Sequence, residues 1–145
     1  MGLFDTFSIS ASGMTSERLR LDLIANNVAN MNTASTPNDP NSPVYRRKVP
    51  LFAEQLRQTM AVNGTEPKGA GVRVKAIAED AVPPRIVNDP NHPLADAQGN
   101  VAYPNINIVN EMVDMITASR TYEANVTTLN AAKSMALKAL EISRG

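Results

Sequence analysis

The chain has 145 residues, and its 14 basic and 14 acidic side chains cancel, so it lacks the basic excess of a nucleic-acid binder. It contains no cysteine, which excludes disulfides, thiolate metal sites and thiol catalysis together. Aromatic residues make up only 4% and tryptophan is absent, so the core is expected to be thin, with the 7 methionines supplying adaptable contacts in its place.

The amino terminus shows no basic n-region leading into an apolar h-region, and no run of 18 apolar residues is long enough to span a membrane. By these rules alone the chain reads as cytosolic. Met1-Gly2-Leu3-Phe4-Asp5-Thr6 fits a loose myristoylation pattern. The plainer reading is a small second residue that permits removal of the initiator Met, since one acyl chain without a basic patch anchors only marginally.

A first helix is predicted between Phe4 and Met31, starting after Asp5 or Ser8, either of which can cap it. Phe7, Met14, Leu21 and Val28 recur every seventh position, flanked by Ala11, Ile24 and Ala25, with no proline and a single Gly13. The helix runs into the cluster Asn26, Asn27, Asn30 and Asn32. Two readings fit these amides: a frayed helix end followed by a turn, or a set of side chains pairing with backbone groups of adjacent chains.

All 10 prolines fall between Pro37 and Pro104, which divides the chain into an N-terminal helix (1–33), a Pro-rich middle (34–106) and a C-terminal helix (107–145). Residues 34–43 read as a loop. Val44–Val49 has strand-like residues, and Leu51–Ala61 is too mixed to assign. Asn63-Gly64 signals a turn, Gly71–Ala78 alternates as a half-buried strand, and Pro84–Asn88 is expected to pair with that strand as a short hairpin. Asp89-Pro90-Asn91-His92-Pro93 and Gln98-Gly99-Asn100 are turns, and Pro104 with Asn105 and Asn107 introduces the last helix.

That last helix carries the strongest pattern. Ile108, Met112, Met115, Ser119, Tyr122, Val126, Leu129, Lys133, Ala136 and Leu140 alternate steps of four and three, the heptad period that keeps one stripe facing a partner. A second row, Val109, Val113 and Ile116, widens the stripe enough to meet two neighbours. Ser119 permits close approach, Lys133 can lay its stem along the stripe, and Arg120 can pair with Glu123 on the flank. The expected fold is therefore mainly α: two long terminal helices pairing as a coiled coil, with a small Pro-rich region of β-hairpin and loop between them.

Sites of chemistry are scarce. His92, the single histidine, lies between Asp89 and Asp96 in a proline turn and lacks a second nitrogen donor, so a structural or solvent role is expected. Gly69 and Gly71 lead to a strand without a Gly-Lys-Ser/Thr motif and cradle no phosphate. Arg46-Arg47-Lys48 reads as a solvated strand or an ion pair to an adjacent subunit. No catalytic residue, metal, cofactor or small-molecule substrate is expected.

Two stretches carry a family resemblance. Ala25-Asn26-Asn27-Val28-Ala29-Asn30-Met31-Asn32-Thr33 resembles the Asn-rich signature of the bacterial flagellar basal-body rod, hook and hook-associated proteins. Asn110-Glu111-Met112-Val113, through Ala118-Ser119-Arg120-Thr121-Tyr122-Glu123-Ala124-Asn125, resembles the paired signature at the other end. Within that family the stretches around Pro43–Lys48, Asp89–Asp96 and Tyr103–Asn105, together with the short length, are similar to the proximal-rod members; Asn100 departs from the aromatic expected after Gly99.

The resemblance implies a structural subunit of the periplasm-crossing rod that transmits torque, exported without a cleaved signal through the flagellar type III apparatus, which replaces the cytosolic reading. It further implies that the terminal helices pair in an inner domain and meet other rod subunits, further copies of the chain and the membrane-ring base of the rod. The residues expected in that interface are Phe7, Met14, Leu21, Ile24, Asn26, Asn27, Val28, Asn30 and Asn32 on the first helix. On the second they are Ile108, Met112, Met115, Ser119, Arg120, Tyr122, Asn125, Val126, Leu129 and Leu140. A cytosolic coiled-coil adaptor or a lipid-anchored scaffold would use the same heptads and Gly2.

Overall fold

The computed structural model describes residues 3–61 and 64–144. The order is α1 (Leu3–Asn30), β1 (Lys48–Ala61), β2 (Gly64–Glu79), β3 (Arg85–Asn88), β4 (Asn100–Tyr103) and α2 (Ile108–Arg144). Helix α1 begins at Leu3, ahead of the expected caps at Asp5 and Ser8, and closes at Asn30, where Met31 and Thr33 donate to the carbonyls of Val28 and Asn30. Helix α2 starts under a side-chain cap: the Asn107 Oδ1 accepts the Val109 N–H at 2.9 Å. The chain divides into two compact units, one of Met1–Leu21, Pro50–Ala76 and Ile116–Gly145, the other of Asp22–Val49 and Ile77–Met115.

In the first unit, β1 and β2 form a two-stranded sheet. The assignment left open over Leu51–Ala61 is thus a strand, and strand pairing starts at Lys48 rather than at Val44. The expected turn residue Asn63 lies outside the described residues. Strand β2 lies against α1 at Gly71, whose φ of +117° suits a residue without a Cβ; a Cβ there would collide with Ser12 Oγ. Ser12 Oγ donates to the Ile9 carbonyl at 2.7 Å and accepts the Val72 N–H at 3.1 Å, joining helix to strand. Gly13 likewise admits α2, since a Cβ would lie 2.9 Å from Asn125 Nδ2.

In the second unit, β3 pairs antiparallel with β4, from Arg85 opposite Tyr103 to Asn88 opposite Asn100. This corrects the expected pairing of Pro84–Asn88 with the preceding strand. The partner lies beyond an 11-residue loop because that loop is held by its own side chains. Asp96 Oδ1 accepts the Gln98 and Asn100 N–H groups, each at 2.8 Å, Asp89 Oδ1 accepts Asn91 N–H, and His92 Nδ1 accepts Leu94 N–H at 3.1 Å. His92 therefore orders a turn, as does Gly99 at φ +77°. Ser35 bridges Ala102 from the other side with two hydrogen bonds of 2.9 Å, which leaves Val101 and Ala102 fully buried.

Both helices contribute to both units. Gly13 faces Asn125 in the first, and Asn27 bonds Glu111 in the second. The terminal helices thus pack together.

Candidate assembly site

The helices meet where Gly13 faces Asn125 and where Asn27 bonds Glu111. On α1 the buried positions are Ser10, Ser16, Leu23, Ile24 and Asn27. On α2 they are Glu111, Ala118 and Ala132, seven or fourteen apart, with the half-buried Asn125 completing the row. This is a true heptad stripe, but it is displaced from the expected one. Part of the apolar surface stays outside: Ile108, Met112, Tyr122 and Leu140 of the expected row are exposed, as are Val109, Val113 and Ile116 of the second row, whereas Met115, Val126, Leu129 and Ala136 are half-buried. Periodicity counts apolar residues, whereas close helix approach selects small ones; the two sets overlap in part, since Met115, Leu129 and Ala136 of the expected row are half-buried beside the observed stripe.

Asn27, 1% exposed, makes four side-chain hydrogen bonds. Its Nδ2 donates to the Lys48 carbonyl and to Glu111 Oε2, each at 3.0 Å. Its Oδ1 accepts the Lys48 N–H at 2.9 Å and the Tyr45 hydroxyl at 3.1 Å. All four bonding positions of the amide are filled. Asn27 thus pairs with the backbone of Lys48 as a neighbouring strand would.

Glu111 is fully buried, and a buried carboxylate needs a cation beside it. Arg47 supplies one: its Nε donates to Glu111 Oε1 and its Nη2 to Asp114 Oδ2 at 2.9 Å. Burial pulls the Arg47 guanidinium toward the neutral form, but the hydrogen bond to Glu111 and the charges of Glu111, Asp114 and Asp80 outweigh it, leaving its pKa raised. Burial raises the Tyr45 hydroxyl, and the charges of Glu111 and Glu79 add to the shift. Lys48 Nζ lies over the Tyr45 ring, 5.6 Å from its centroid. The segment 45–48 is held in this way by both helices, and Arg47 pairs within the chain. Glu111, Asp114 and Tyr45 received no role from the sequence; a signal was present, since Glu111 opens the row continued by Ala118, Asn125 and Ala132.

The expected interface residues divide by environment. Ile24 and Asn27 are buried. Phe7, Met14, Leu21, Val28, Asn30, Met115, Ser119, Asn125, Val126 and Leu129 are half-buried. Asn26, Asn32, Ile108, Met112, Arg120, Tyr122 and Leu140 are exposed. Asn26 and Asn30 return their amides to carbonyls four residues back, at 2.8 and 2.9 Å, and Arg120 pairs with Glu123 at 3.3 Å. The Asn cluster is therefore not one device: Asn27 ties elements together, whereas Asn26 and Asn30 serve their own helix. Among the described residues no cluster is arranged to hold a metal ion, and no helix is long and apolar enough to cross a membrane.

Both ends of this helix pair match known families. Residues 7–34 match the flagella basal body rod protein family, and residues 97–142 match the C-terminal family of the flagellar basal body rod FlgEFG proteins. The class is that of flagellar basal-body rod proteins, a structural and not an enzymatic one. Flagellar basal-body rod protein FlgC of Borreliella burgdorferi is 43% identical over 100% of both chains, and that of Bacillus subtilis is 40% identical over 99% of this chain and 100% of its own. FlgC of Escherichia coli O157:H7 is 39% identical over 99% of this chain and 100% of its own. The chain belongs to the FlgC family of flagellar basal-body rod proteins.

Proposed function

We propose that this chain is a structural subunit of the proximal rod of the flagellar basal body, which assembles through its terminal helices and passes torque along the drive shaft. The observation that carries the reading is the exposed apolar face of α2, in particular Val109, Met112, Val113 and Ile116. A monomer in water gains nothing by leaving so much contiguous apolar surface bare, and an assembling subunit buries it against neighbours. Segments 1–33 and 107–145 then form the inner helical domain, and 34–106 the outer layer. Its partners are other rod subunits, further copies of itself and the ring at the base of the rod, reached through the type III export apparatus without cleavage of the amino terminus.

The test is peptide mass spectrometry on purified hook–basal bodies. The expected result is the chain in that fraction with its native amino terminus. Its absence there, with the chain soluble in the cytosol, overturns the reading.

A further inference from the structure

The second unit contains a cavity of about 560 Å³, lined by the segments 36–47 and 80–86. These segments are tied together at both ends. Ser35 exchanges two hydrogen bonds with Ala102, and the Arg47 carbonyl accepts the Asp80 N–H at 2.8 Å. Pro37, Pro40 and Pro43 stiffen one segment, Pro83 and Pro84 the other, so the cavity is pre-formed. Ile86 and Ala102 stand opposite each other in the β3–β4 register and line it from the same face of the sheet. Ala102 is fully buried, whereas Ile86 is 51% exposed.

Hydrogen-bond parity shows which backbone groups of β3 are unused. Ala102 directs its N–H and carbonyl to Ser35, away from β3, so Ile86 and Ala102 exchange no bonds. The bonded positions alternate with that pair, in step with the Asp89 N–H donating to the Gly99 carbonyl at 2.8 Å. Ile86 and Asn88 therefore point their N–H and C=O groups outward, to an edge where no further strand lies among the described residues. All four residues of β3 are exposed. An open edge of this kind takes an extended segment.

Charge narrows the choice. Arg47 is held by Glu111 and Asp114, while Asp39 and Asp80 each accept a backbone N–H two residues on. Arg46 also lines the cavity; it is exposed and makes no hydrogen bond or ion pair among the described residues. The matching occupant is an extended strand with a large apolar side chain for the cavity and a carboxylate for Arg46. Residues 51–56 of β1 fit that description. β1 has a strand, β2, on one side only. Phe52, Glu54 and Leu56 alternate onto one face and are all exposed, and Glu54 makes no hydrogen bond or ion pair among the described residues.

Resting on the assembly reading above, we infer that β1 of a second copy adds to the open edge of β3, with Phe52 against Ile86 at the cavity and the Glu54 carboxylate on Arg46. The contact joins two different surfaces of the chain and lies outside the terminal helices. Because the chain has no cysteine, single thiols beside the contact test it in the assembled structure. Val87→Cys and Gln55→Cys, whose side chains alternate away from the contacting face, are co-expressed, and purified hook–basal bodies are treated with a short bismaleimide. The expected product is a dimer with one copy of each variant, absent from cells that hold either variant alone.

Adding Arg46→Glu to the Val87→Cys chain should lower that yield about tenfold by setting two carboxylates together, and adding Glu54→Arg to the Gln55→Cys chain should restore it. Wild-type helical circular dichroism of each purified variant shows that folding is intact. No cross-linked dimer, a yield unchanged by Arg46→Glu, or Val87→Cys linked instead to a different basal-body protein overturns the contact. Each of these failures leaves the rod reading in place while the chain is found in hook–basal bodies, whereas its absence from them removes both.

Discussion

Asn27 and Glu111 show how a thin core can still specify one arrangement. Among the described residues few apolar side chains are fully buried, so position is set by polar groups that are costly to leave unpaired. Replacing Arg47 with Met leaves the Glu111 carboxylate buried without its cation, and the expected loss is about 3–5 kcal/mol of unfolding free energy by urea titration. Adding Glu111→Met should recover a large part of that loss, as coupled partners do. Tyr45 makes a prediction in pH. Its hydroxyl keeps its proton longer in the folded chain than in the unfolded one, whose value is near 10.0. Its contribution is therefore complete below about pH 10 and is lost as pH rises through the higher folded value. Tyr45→Phe should show a shallower fall in stability above that pH, measured by denaturant midpoint.

The elements differ in how far the sequence discloses them. Both helices are legible because proline is absent from them and apolar residues recur at heptad spacing, and their observed bounds lie close to the expected ones. Which face they share is not legible from the large apolar residues alone: Gly13 carries no hydropathy signal, and its role follows only from how closely Asn125 of α2 approaches it. The partner of β3 is likewise hidden, because pairing with β4 depends on Asp96 and Asp89 folding the intervening loop onto itself. The candidate site was legible in part, with Asn27 visible as one of a cluster and Glu111 as the head of a heptad row, but not the pairing of Glu111 with Arg47 across 64 residues. Glycine substitutions separate two kinds of contact. Gly71→Ala combines a positive φ with a clash against Ser12 Oγ and should cost about 2 kcal/mol or more. Gly13→Ala meets only the movable end of Asn125 and should cost less than about 1 kcal/mol. Thermal unfolding of both variants checks the order.

For the whole molecule, the division of surfaces matters more than total burial. Gly13 with Asn125 and Asn27 with Glu111 join the helices, while large apolar residues such as Val109, Val113 and Leu140 stay exposed. Stability of the free chain and competence to assemble should therefore separate under mutation. Leu140→Asp, at an exposed position, should change monomer stability by no more than about 0.5 kcal/mol, yet abolish swimming and remove the chain from basal bodies. Val126→Asp, half-buried, should do the same with some loss of stability as well. Swimming at the wild-type rate with either variant would show that these positions face water in the finished structure.

The four bonds around Asn27 also bear on chemical ageing. Asparagine deamidates when the backbone nitrogen of the following residue attacks the side-chain carbonyl carbon. Here the side chain is pinned away from that path, the backbone is helical, and the next residue is the β-branched Val28. Were the amide hydrolysed, a second carboxylate would stand beside Glu111 and the Lys48 carbonyl, where only a donor fits. The arrangement that fixes segment 45–48 thus also shields its most vulnerable member from a slow reaction that would undo it, which suits a part built once into a shaft and left there.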